Sequence, residues 1–362
     1  MEDIREIPIF FILGRPRSGT TLLTTLFNAH PNVRIAPEFP ILLPLYQRFR
    51  RVKDWDEKAI RSFADHLFKK YVFNNRTLDN YHLDQEAYTN DLLELQHKGT
   101  VQDFLKTINY HAFSVYDKGK TLRIGDKNPL YSIFAKRLLR IFPEAKFICI
   151  IRDYRDNFVS IRKLSELKME APVLSLQVYR WKYALREFVR CNKKYPERFR
   201  IIRYEDLVTD QERVVRELFG FIGIPYDPSV FQFYQKKEET IDSYKNPLIE
   251  KFHGSLMNPV NTSRMNLWKK ELTPAQVRIA DQIAGKYADR FGYERENKAF
   301  HPGLRLKSLP MQAYGYLLFR VMYYGSFLPY RLSLWLSTRL LFLVKTYSRF
   351  FGKKKAADQG NK

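Results

Sequence analysis

The sequence contains very little cysteine, with only Cys149 and Cys191 among 362 residues. One lies in an apolar run and the other in a basic helical stretch, so the pattern excludes a disulfide framework and a cysteine-based metal cluster. The seven histidines show no metal-ligand spacing of the HExxH kind. We therefore predict a functional site that holds no metal.

Long uncharged apolar runs are also missing. No stretch of about 18 such residues occurs, so the sequence does not predict a membrane-spanning helix. The N-terminal sequence MEDIREIPIF is acidic and lacks the basic start and apolar centre of a signal peptide. These features predict a cytoplasmic location.

Acidic residues are scarce relative to basic ones. The chain has 62 Lys and Arg against 39 Asp and Glu, a net charge of +23, and a sequence pI near 9.8. Such an excess favours an anionic partner, which is a nucleic acid, a phosphorylated small molecule or an acidic membrane face. Apolar residues (45%) and aromatics (15%) are plentiful, which excludes global disorder.

Short apolar runs alternate with helical patterns along the chain. This alternation predicts an α/β fold with a P-loop-type, mostly parallel sheet flanked by helices. Ligands of such sheets bind at the carboxyl ends of the strands. Residues 14–21, 152–160 and 204–206 fall at such ends. The predicted strands are IPIFFILG (7–14), NVRIAPE (32–38), AKFICIIRD (145–153) and FRIIRYEDLV (199–208).

The composition changes near Ala299, which predicts a main domain over 1–299 and a basic, aromatic, helical appendage over 300–362. The appendage has 11 basic residues and one acidic residue, a net charge of 11 − 1 = +10. A helical wheel places four basic residues on one face, which is typical of a helix lying on anionic lipid. Packing on the main domain or across a dimer is the alternative. The four residues are Arg331, Arg339, Lys345 and Arg349.

The segment GRPRSGTT (14–21) has the glycine spacing of a phosphate-binding loop, but Thr20 stands where the lysine belongs. Backbone N–H groups and a helix N-terminus can still hold an anion there. Without the lysine, phosphoryl transfer lacks its usual charge clamp. A nucleotide kinase or ATPase with an unusual loop, or a turn that binds nothing, remains open. The candidate ligands are Arg15, Arg17, Ser18, Gly19, Thr20 and Thr21.

This loop resembles the 5′-phosphosulfate loop of sulfotransferases that use 3′-phosphoadenosine 5′-phosphosulfate (PAPS). The longer run RSGTTLLTTLFNAHPNVRIAPE (17–38) is similar to that of tyrosylprotein sulfotransferases and their bacterial relatives. IRDYRDNFVSIRK (151–163) resembles the 3′-phosphate segment, which implies that Arg152 and Ser160 bind that phosphate. Taken alone, the same residues could form a surface salt-bridge cluster. Tyr154 replaces the proline or glycine typical of the family.

The resemblance extends over most of residues 7–293. RYEDLV (203–208) looks like the segment whose tyrosine approaches the nucleotide, which implies this role for Tyr204. NPVNTSRMNLWKKELTP (258–274) resembles the loop that closes over the nucleotide, and it implies roles for Ser263 and Arg264.

The resemblance also implies catalytic residues. Glu38, 21 residues after Arg17, matches the glutamate base, and Lys127 in GDKNPLYS matches the cation that contacts the sulfuryl or bridging oxygen. Arg17 is the second candidate for that cation, and Asp126 could orient Lys127. A helix-capping or arginine-pairing role for Glu38 and a solvated Lys127 are the structural alternatives. Histidine bases at His111 and His82 are further alternatives.

These observations together predict an enzyme that moves the sulfuryl group of PAPS to an acceptor hydroxyl and releases 3′,5′-adenosine bisphosphate without a metal. The expected acceptor is a small-molecule, lipid or sterol hydroxyl, with phenols, sugars and tyrosyl peptides still open. We expect no nucleic-acid partner, a cytoplasmic enzyme that associates peripherally with membrane, and a homodimer as an option. The rival functions are a P-loop kinase or ATPase and a basic nucleic-acid-binding protein.

Overall fold

A five-stranded parallel sheet forms the centre of the computed structural model. Its strands follow the order β2-β3-β1-β4-β5, which confirms the predicted P-loop-type parallel α/β fold. The strands are β1 (Ile9–Gly14), β2 (Val33–Ile35), β3 (Arg123–Lys127), β4 (Lys146–Ile151) and β5 (Phe199–Arg203). The structure describes residues 2–68, 78–165, 171–236, 258–329, 331–333, 335 and 339.

The central strand β1 is buried on both faces. Phe11 and Leu13 belong to one apolar core, and Phe10 and Ile12 belong to the core on the other side of the sheet. Alternate side chains of a strand point to opposite faces, so a strand between two cores is apolar at every position. This explains why IPIFFILG is a continuous apolar run.

Helices cover both faces of the sheet. One core contains side chains of the first, ninth and tenth helices, and the larger core contains those of helices two to eight, twelve, thirteen and fourteen. The helices are α1 (Thr20–Ala29), α2 (Leu42–Phe49), α3 (Glu57–Phe68), α4 (Gln85–Leu93), α5 (Val101–Tyr110), α6 (Ala135–Ile141), α7 (Tyr154–Ser165), α8 (Leu174–Lys194), α9 (Tyr204–Thr209), α10 (Gln211–Ile222), α11 (Trp268–Glu271), α12 (Pro274–Ala284), α13 (Lys286–Arg290) and α14 (Pro302–Gly325). The 3₁₀ helices are Leu78–Tyr81, Pro129–Ile133 and Pro228–Lys236.

Strand β3 was not predicted from the sequence. Only one of its five residues, Ile124, is a large apolar residue, so the segment lacks a strand pattern. It nevertheless pairs with β1, and Lys127 lies beside Ile12 in the register. Lys127 therefore ends a strand instead of lying in a turn. A 3₁₀ helix follows at Pro129, and it begins where Asn128 accepts a hydrogen bond from the Leu130 N–H (3.1 Å).

The first part of the predicted appendage is the helix α14, which packs on α8 and α12. Phe319 belongs to the larger core. A Cβ added at Gly315 would lie 3.0 Å from Leu176 and 3.1 Å from Tyr179 of α8, so glycine allows a close helix contact. Lys345 and Arg349 lie outside the described residues, and the boundary near residue 299 stays a prediction. Among the described helices, none is long and apolar enough to cross a membrane.

Candidate functional site

The carboxyl ends of the neighbouring strands β1, β4 and β5 meet at one edge of the sheet, as predicted. The loop after β1 passes through two residues with positive φ, Arg17 (67°) and Gly19 (95°). A Cβ at Gly19 would lie 2.5 Å from the Tyr204 ring, so both the backbone and the close ring contact require glycine. Thr20 and Thr21 begin α1, and the helix N-terminus with its free N–H groups opens at this loop.

Three side chains from other elements hold the loop in place. The Asn157 side-chain amide of α7 donates to the Pro16 carbonyl (2.8 Å) and to Ser18 Oγ (3.2 Å). Ser132 Oγ donates to the Gly14 carbonyl (2.9 Å). The buried Arg15 donates to Gln177 Oε1 of α8 (2.8 Å), so in this structure Arg15 fixes the loop to α8.

Asn157 was not predicted from the sequence, although it lies in the segment IRDYRDNFVSIRK (151–163), three residues before Ser160. Residues three apart on a helix share a face. That spacing is the signal by which Asn157 could have been found.

The structure brings the two predicted anion-binding segments into direct contact. Arg17 Nε donates to Ser160 Oγ (3.0 Å). Arg152 Nη1 donates to the Arg17 carbonyl (3.2 Å), and its Nη2 donates to the Arg264 carbonyl. The loop 14–21, the segment 151–163 and the loop 258–274, which we call the late loop, therefore form one site. Arg17, Arg152 and Arg264 are its arginine cluster.

The arginine cluster is positively charged and partly shielded from water. Burial, together with the charges of Arg264 and Arg152, lowers the pKa of Arg17 to about 10. The Arg152 guanidinium lies 4.7 Å from the centre of the Tyr204 ring, and burial raises the pKa of that tyrosine. Arg152 Nε is buried without a hydrogen-bond partner among the described residues. This arrangement fits a multiply charged anion. Such an anion would accept a hydrogen bond from Arg152 Nε and reduce the repulsion among the three arginines.

The late loop is tied to the first turn of α7 by Asp156, another residue that sequence analysis did not single out. Its carboxylate accepts the N–H groups of Asn266 (2.7 Å) and Trp268 (2.9 Å). The neighbouring Arg155 guanidinium lies 3.7 Å from the centre of the Trp268 ring. Ser263 lies on the exposed part of this loop, where its hydroxyl donates to Asn261.

A buried network joins the ends of β4 and β5 behind the arginine cluster. Glu205 accepts the Asp153 N–H (2.9 Å) and the Tyr293 hydroxyl (2.8 Å), and burial raises the pKa of Glu205. Asp153 also pairs with Arg155 (2.7 Å). These contacts fix the adjacent residues Arg152 and Tyr204, so the cationic side chain and the ring keep their relative position.

Two of the three predicted catalytic residues, Glu38 and Lys127, form an ion pair at the other half of the same edge. Lys127 Nζ donates to Glu38 Oε2 (2.9 Å). The lysine side chain is 5% exposed and the glutamate side chain is 48% exposed. Glu38 follows β2 and Lys127 ends β3, and these strands are neighbours. The partner of Glu38 in this pair is a lysine and not an arginine, and Lys127 is buried and not solvated.

Asp126 does not have the orienting role that the sequence suggested. Its carboxylate accepts a hydrogen bond from Asn109 of α5 (3.3 Å). Its other oxygen has no hydrogen-bond partner among the described residues, so Lys127 acts on Asp126 through charge alone. Burial raises the pKa of Asp126 to about 7.

The alternative histidine bases have other surroundings. His111 Nδ1 lies 3.4 Å from an Asp91 oxygen, and burial lowers the pKa of this histidine. The His82 ring contacts that of Phe113. Neither contact involves the Glu38–Lys127 pair. The described residues contain no group of three or more His, Cys, Asp or Glu side chains that could hold a metal.

Comparison with known proteins gives a consistent picture. A model of the sulfotransferase family matches residues 8–228. The chain is 26% identical over 286 residues to a protein-tyrosine sulfotransferase of Drosophila melanogaster, which covers 77% of this chain and 50% of the fly protein. It is 24% identical over 299 residues to protein-tyrosine sulfotransferase 1 of Danio rerio, which covers 80% of this chain and 73% of the fish protein.

Two solved structures share the fold. The sulfotransferase domain from the curacin biosynthetic pathway has a TM-score of 0.52 at 22% identity, covering 80% of this chain and 98% of that domain. The sulfotransferase domain of the Synechococcus PCC 7002 olefin synthase has a TM-score of 0.53 at 22% identity, covering 79% and 95%.

Proposed function

Because this chain belongs to the sulfotransferase family, we propose that it transfers the sulfuryl group of PAPS to an acceptor hydroxyl. The observation that carries the proposal is the contact of three separate segments around one positive site. Arg17 donates to Ser160 Oγ, and Arg152 donates to the carbonyls of Arg17 and Arg264. Membership of this family leaves no support for the rival kinase, ATPase and nucleic-acid-binding functions.

The arginine cluster provides the donor site in this proposal. Arg152 and Ser160 bind the 3′-phosphate, while Arg17, Ser18 and the first N–H groups of α1 bind the 5′-phosphosulfate. Tyr204 supplies an apolar ring beside the nucleotide. Arg264 belongs to the loop that Asp156 holds over the site.

Glu38 and Lys127 carry the transfer chemistry. PAPS supplies an activated sulfuryl group whose leaving group is a phosphate oxygen. The Glu38 carboxylate accepts the proton of the acceptor hydroxyl. The acceptor oxygen forms the new bond to sulfur while the bond between sulfur and the phosphate oxygen breaks. Lys127 and Arg17 stabilise the negative charge that grows on the bridging oxygen. A metal is not required in this scheme, because cationic side chains take its place.

The relatives favour one acceptor class over the others. Both matched enzymes are named protein-tyrosine sulfotransferases, so we propose a tyrosyl hydroxyl of a polypeptide as the acceptor. No finding supports the sterol or lipid hydroxyl that the basic appendage suggested. The cytoplasmic location and the homodimer stay predictions.

The test is transfer of labelled sulfate from PAPS to a tyrosine-containing polypeptide, with the matched phenylalanine polypeptide, a sterol and a simple phenol run in parallel. We expect label in the tyrosine polypeptide alone or far above the others. Transfer to the sterol but not to tyrosine would reject the acceptor proposal and keep the donor proposal. Transfer to none of these acceptors, together with failure to bind 3′,5′-adenosine bisphosphate, would reject both.

A further inference from the structure

Helix α14 has a row of exposed apolar side chains along its outer face. Leu306 is 72% exposed, Leu309 49% and Leu317 61%, and Tyr324 continues the row. With Ala313, which is also exposed, these residues lie within an arc of about 80° on a helix of 3.6 residues per turn. We call them the apolar stripe. Contiguous exposed apolar surface of this kind usually marks an interaction site.

The opposite face of α14 is fixed to the body of the protein. Leu318 and Phe319 are buried, and the Phe319 ring packs edge-on against Tyr183 of α8 with 5.0 Å between ring centres. At its C-terminal end, the Gln47 side-chain amide of α2 donates to the carbonyls of Phe327 (2.9 Å) and Leu328 (2.7 Å). The apolar stripe is therefore held outward by a rigid support.

Basic residues flank the apolar stripe on both sides. On the same wheel, Arg305 and Lys307 lie about 100° to either side of Leu306, and Arg320 lies within the stripe. Arg305 and Lys307 are exposed. Beyond the helix, exposed Trp335 and Arg339 continue the combination of apolar and basic side chains. An apolar face bordered by cations is the pattern of a helix lying in a membrane interface.

Charge complementarity indicates what binds the apolar stripe. Between Phe300 and Ala357 the sequence has no acidic residue. A second copy packed through the same face, or the following part of this chain folded back on it, would bring positive charges together with no carboxylate from this segment to pair them. An anionic lipid surface supplies the missing negative charge and an apolar interior.

We propose that the apolar stripe of α14 and its flanking basic residues bind the surface of an anionic bilayer, with the helix lying in the plane of the membrane. The leucines enter the boundary between headgroups and acyl chains, and the basic residues contact lipid phosphates. This inference does not depend on the sulfuryl-transfer proposal, because it rests on residues outside the arginine cluster and the Glu38–Lys127 pair.

The first experiment uses the full chain with Leu309→Cys and a thiol reagent that cannot cross membranes. The two native cysteines are buried, so the introduced thiol reports its own surroundings. We expect fast labelling in buffer, labelling at least tenfold slower with phosphatidylglycerol–phosphatidylcholine vesicles, and no change with pure phosphatidylcholine. Protection in buffer alone would show that this chain or a second copy covers the stripe, and would overturn the proposal.

The second experiment compares vesicle co-sedimentation of three triple variants in the full chain. Arg305→Gln/Lys307→Gln/Arg320→Gln should weaken binding to anionic vesicles about 100-fold, at about fivefold for each basic residue. Leu306→Gln/Leu309→Gln/Leu317→Gln should also abolish most binding. The control, Lys58→Gln/Lys98→Gln/Lys120→Gln, removes the same charge from exposed lysines elsewhere and should bind like the parent.

Equal losses in the control would mean that net charge alone drives binding, and would overturn the role of α14. No binding of the parent to anionic vesicles at low salt would overturn the proposal as well. Since electrostatic attraction is screened, raising the salt concentration should weaken parent binding. Binding that does not depend on salt concentration or on lipid charge would contradict the proposal.

Discussion

The two halves of the sheet's carboxyl edge are built differently. On the β1, β4 and β5 side, buried arginines, main-chain carbonyls and carboxylates form a connected network around the arginine cluster. On the β2 and β3 side, a single ion pair joins a buried Lys127 to a half-exposed Glu38. The β1, β4 and β5 side, which we propose as the donor half, is thus fixed by many mutually supporting contacts. The β2 and β3 side, which we propose as the catalytic half, leaves one carboxylate partly exposed.

This difference indicates that one half of the edge serves donor binding and the other serves turnover. A nucleotide with two separate anionic groups is recognised best by a preorganised site, because ordering side chains after binding costs entropy. An acceptor that enters and leaves in each cycle needs an accessible base. We therefore expect variants of the donor half to change donor binding and variants of the catalytic half to change turnover.

The largest effect is expected from Glu38→Gln. Glutamine keeps the shape and can still accept a hydrogen bond from Lys127, but it cannot take the acceptor's proton. Turnover should fall about 100- to 10,000-fold, with affinity for 3′,5′-adenosine bisphosphate nearly unchanged. Steady-state kinetics and calorimetry measure the two quantities. Glu86→Gln, at an exposed position of α4, is the matched control, and undiminished turnover in Glu38→Gln would place the base elsewhere.

Arg152→Ala should weaken donor binding and have much less effect on turnover. It removes the link between Arg17 and Arg264 and a charged hydrogen-bond donor, so donor KM should rise about 100-fold, equivalent to about 3 kcal/mol. The kcat at saturating donor should change much less. Arg61→Ala on α3, an exposed arginine, controls for the loss of charge. A donor KM that stays at the parent value would exclude Arg152 from the donor site.

Asp126→Asn should change the pH dependence of the protein's stability. Burial raises the pKa of Asp126 to about 7, from an ordinary aspartate pKa of about 3.9. Between these values the folded protein holds a proton that the unfolded chain has lost, so this residue makes stability fall as pH rises through that window.

Asparagine cannot ionise, and it keeps an oxygen for Asn109. The variant should therefore exceed the parent in free energy of unfolding by about 1–3 kcal/mol above pH 7, and the difference should vanish near pH 4. Urea unfolding at several pH values measures it, with the exposed Asp65→Asn as the control. A variant that is less stable than the parent at pH 8 would contradict the expectation.

Asp156→Asn should give the smallest effect of the four. The amide can accept only one of the two N–H groups that the carboxylate holds, so the late loop loses one tether. We expect donor KM to rise about tenfold, and kcat at saturating donor to be retained. Loss of kcat with donor KM unchanged would mean that this tether does not serve donor binding.

Much of the donor half could be predicted from the sequence. The continuous apolar run of β1, the glycine spacing of 14–21 and the segment 151–163 each have a local signature, and their strands are neighbours. Asp156 and Glu205 were missed because their roles depend on contacts between residues distant in sequence, and such contacts leave no spacing pattern. Asn157 was missed although its spacing from Ser160 places the two on one face of α7.

The catalytic half was harder to predict. Strand β3 has only one large apolar residue. It lies between β2 and β1, and packing against these neighbours stabilises it without an apolar pattern of its own. Without β3, the adjacency of Lys127 and Glu38 could not be derived, although the resemblance had named both residues. The exposed stripe of α14 also escaped sequence analysis, because the apolar residues surround the helix and only packing shows which face is covered.

The central claim is that the arginine cluster binds a nucleotide carrying separate 3′ and 5′ charges. The most direct test is calorimetric titration with 3′,5′-adenosine bisphosphate, ADP and ATP, each with and without magnesium. The account predicts tight binding of the bisphosphate that is independent of magnesium, and much weaker binding of ADP and ATP. Preference for ATP with magnesium, or no binding of the bisphosphate, would contradict it.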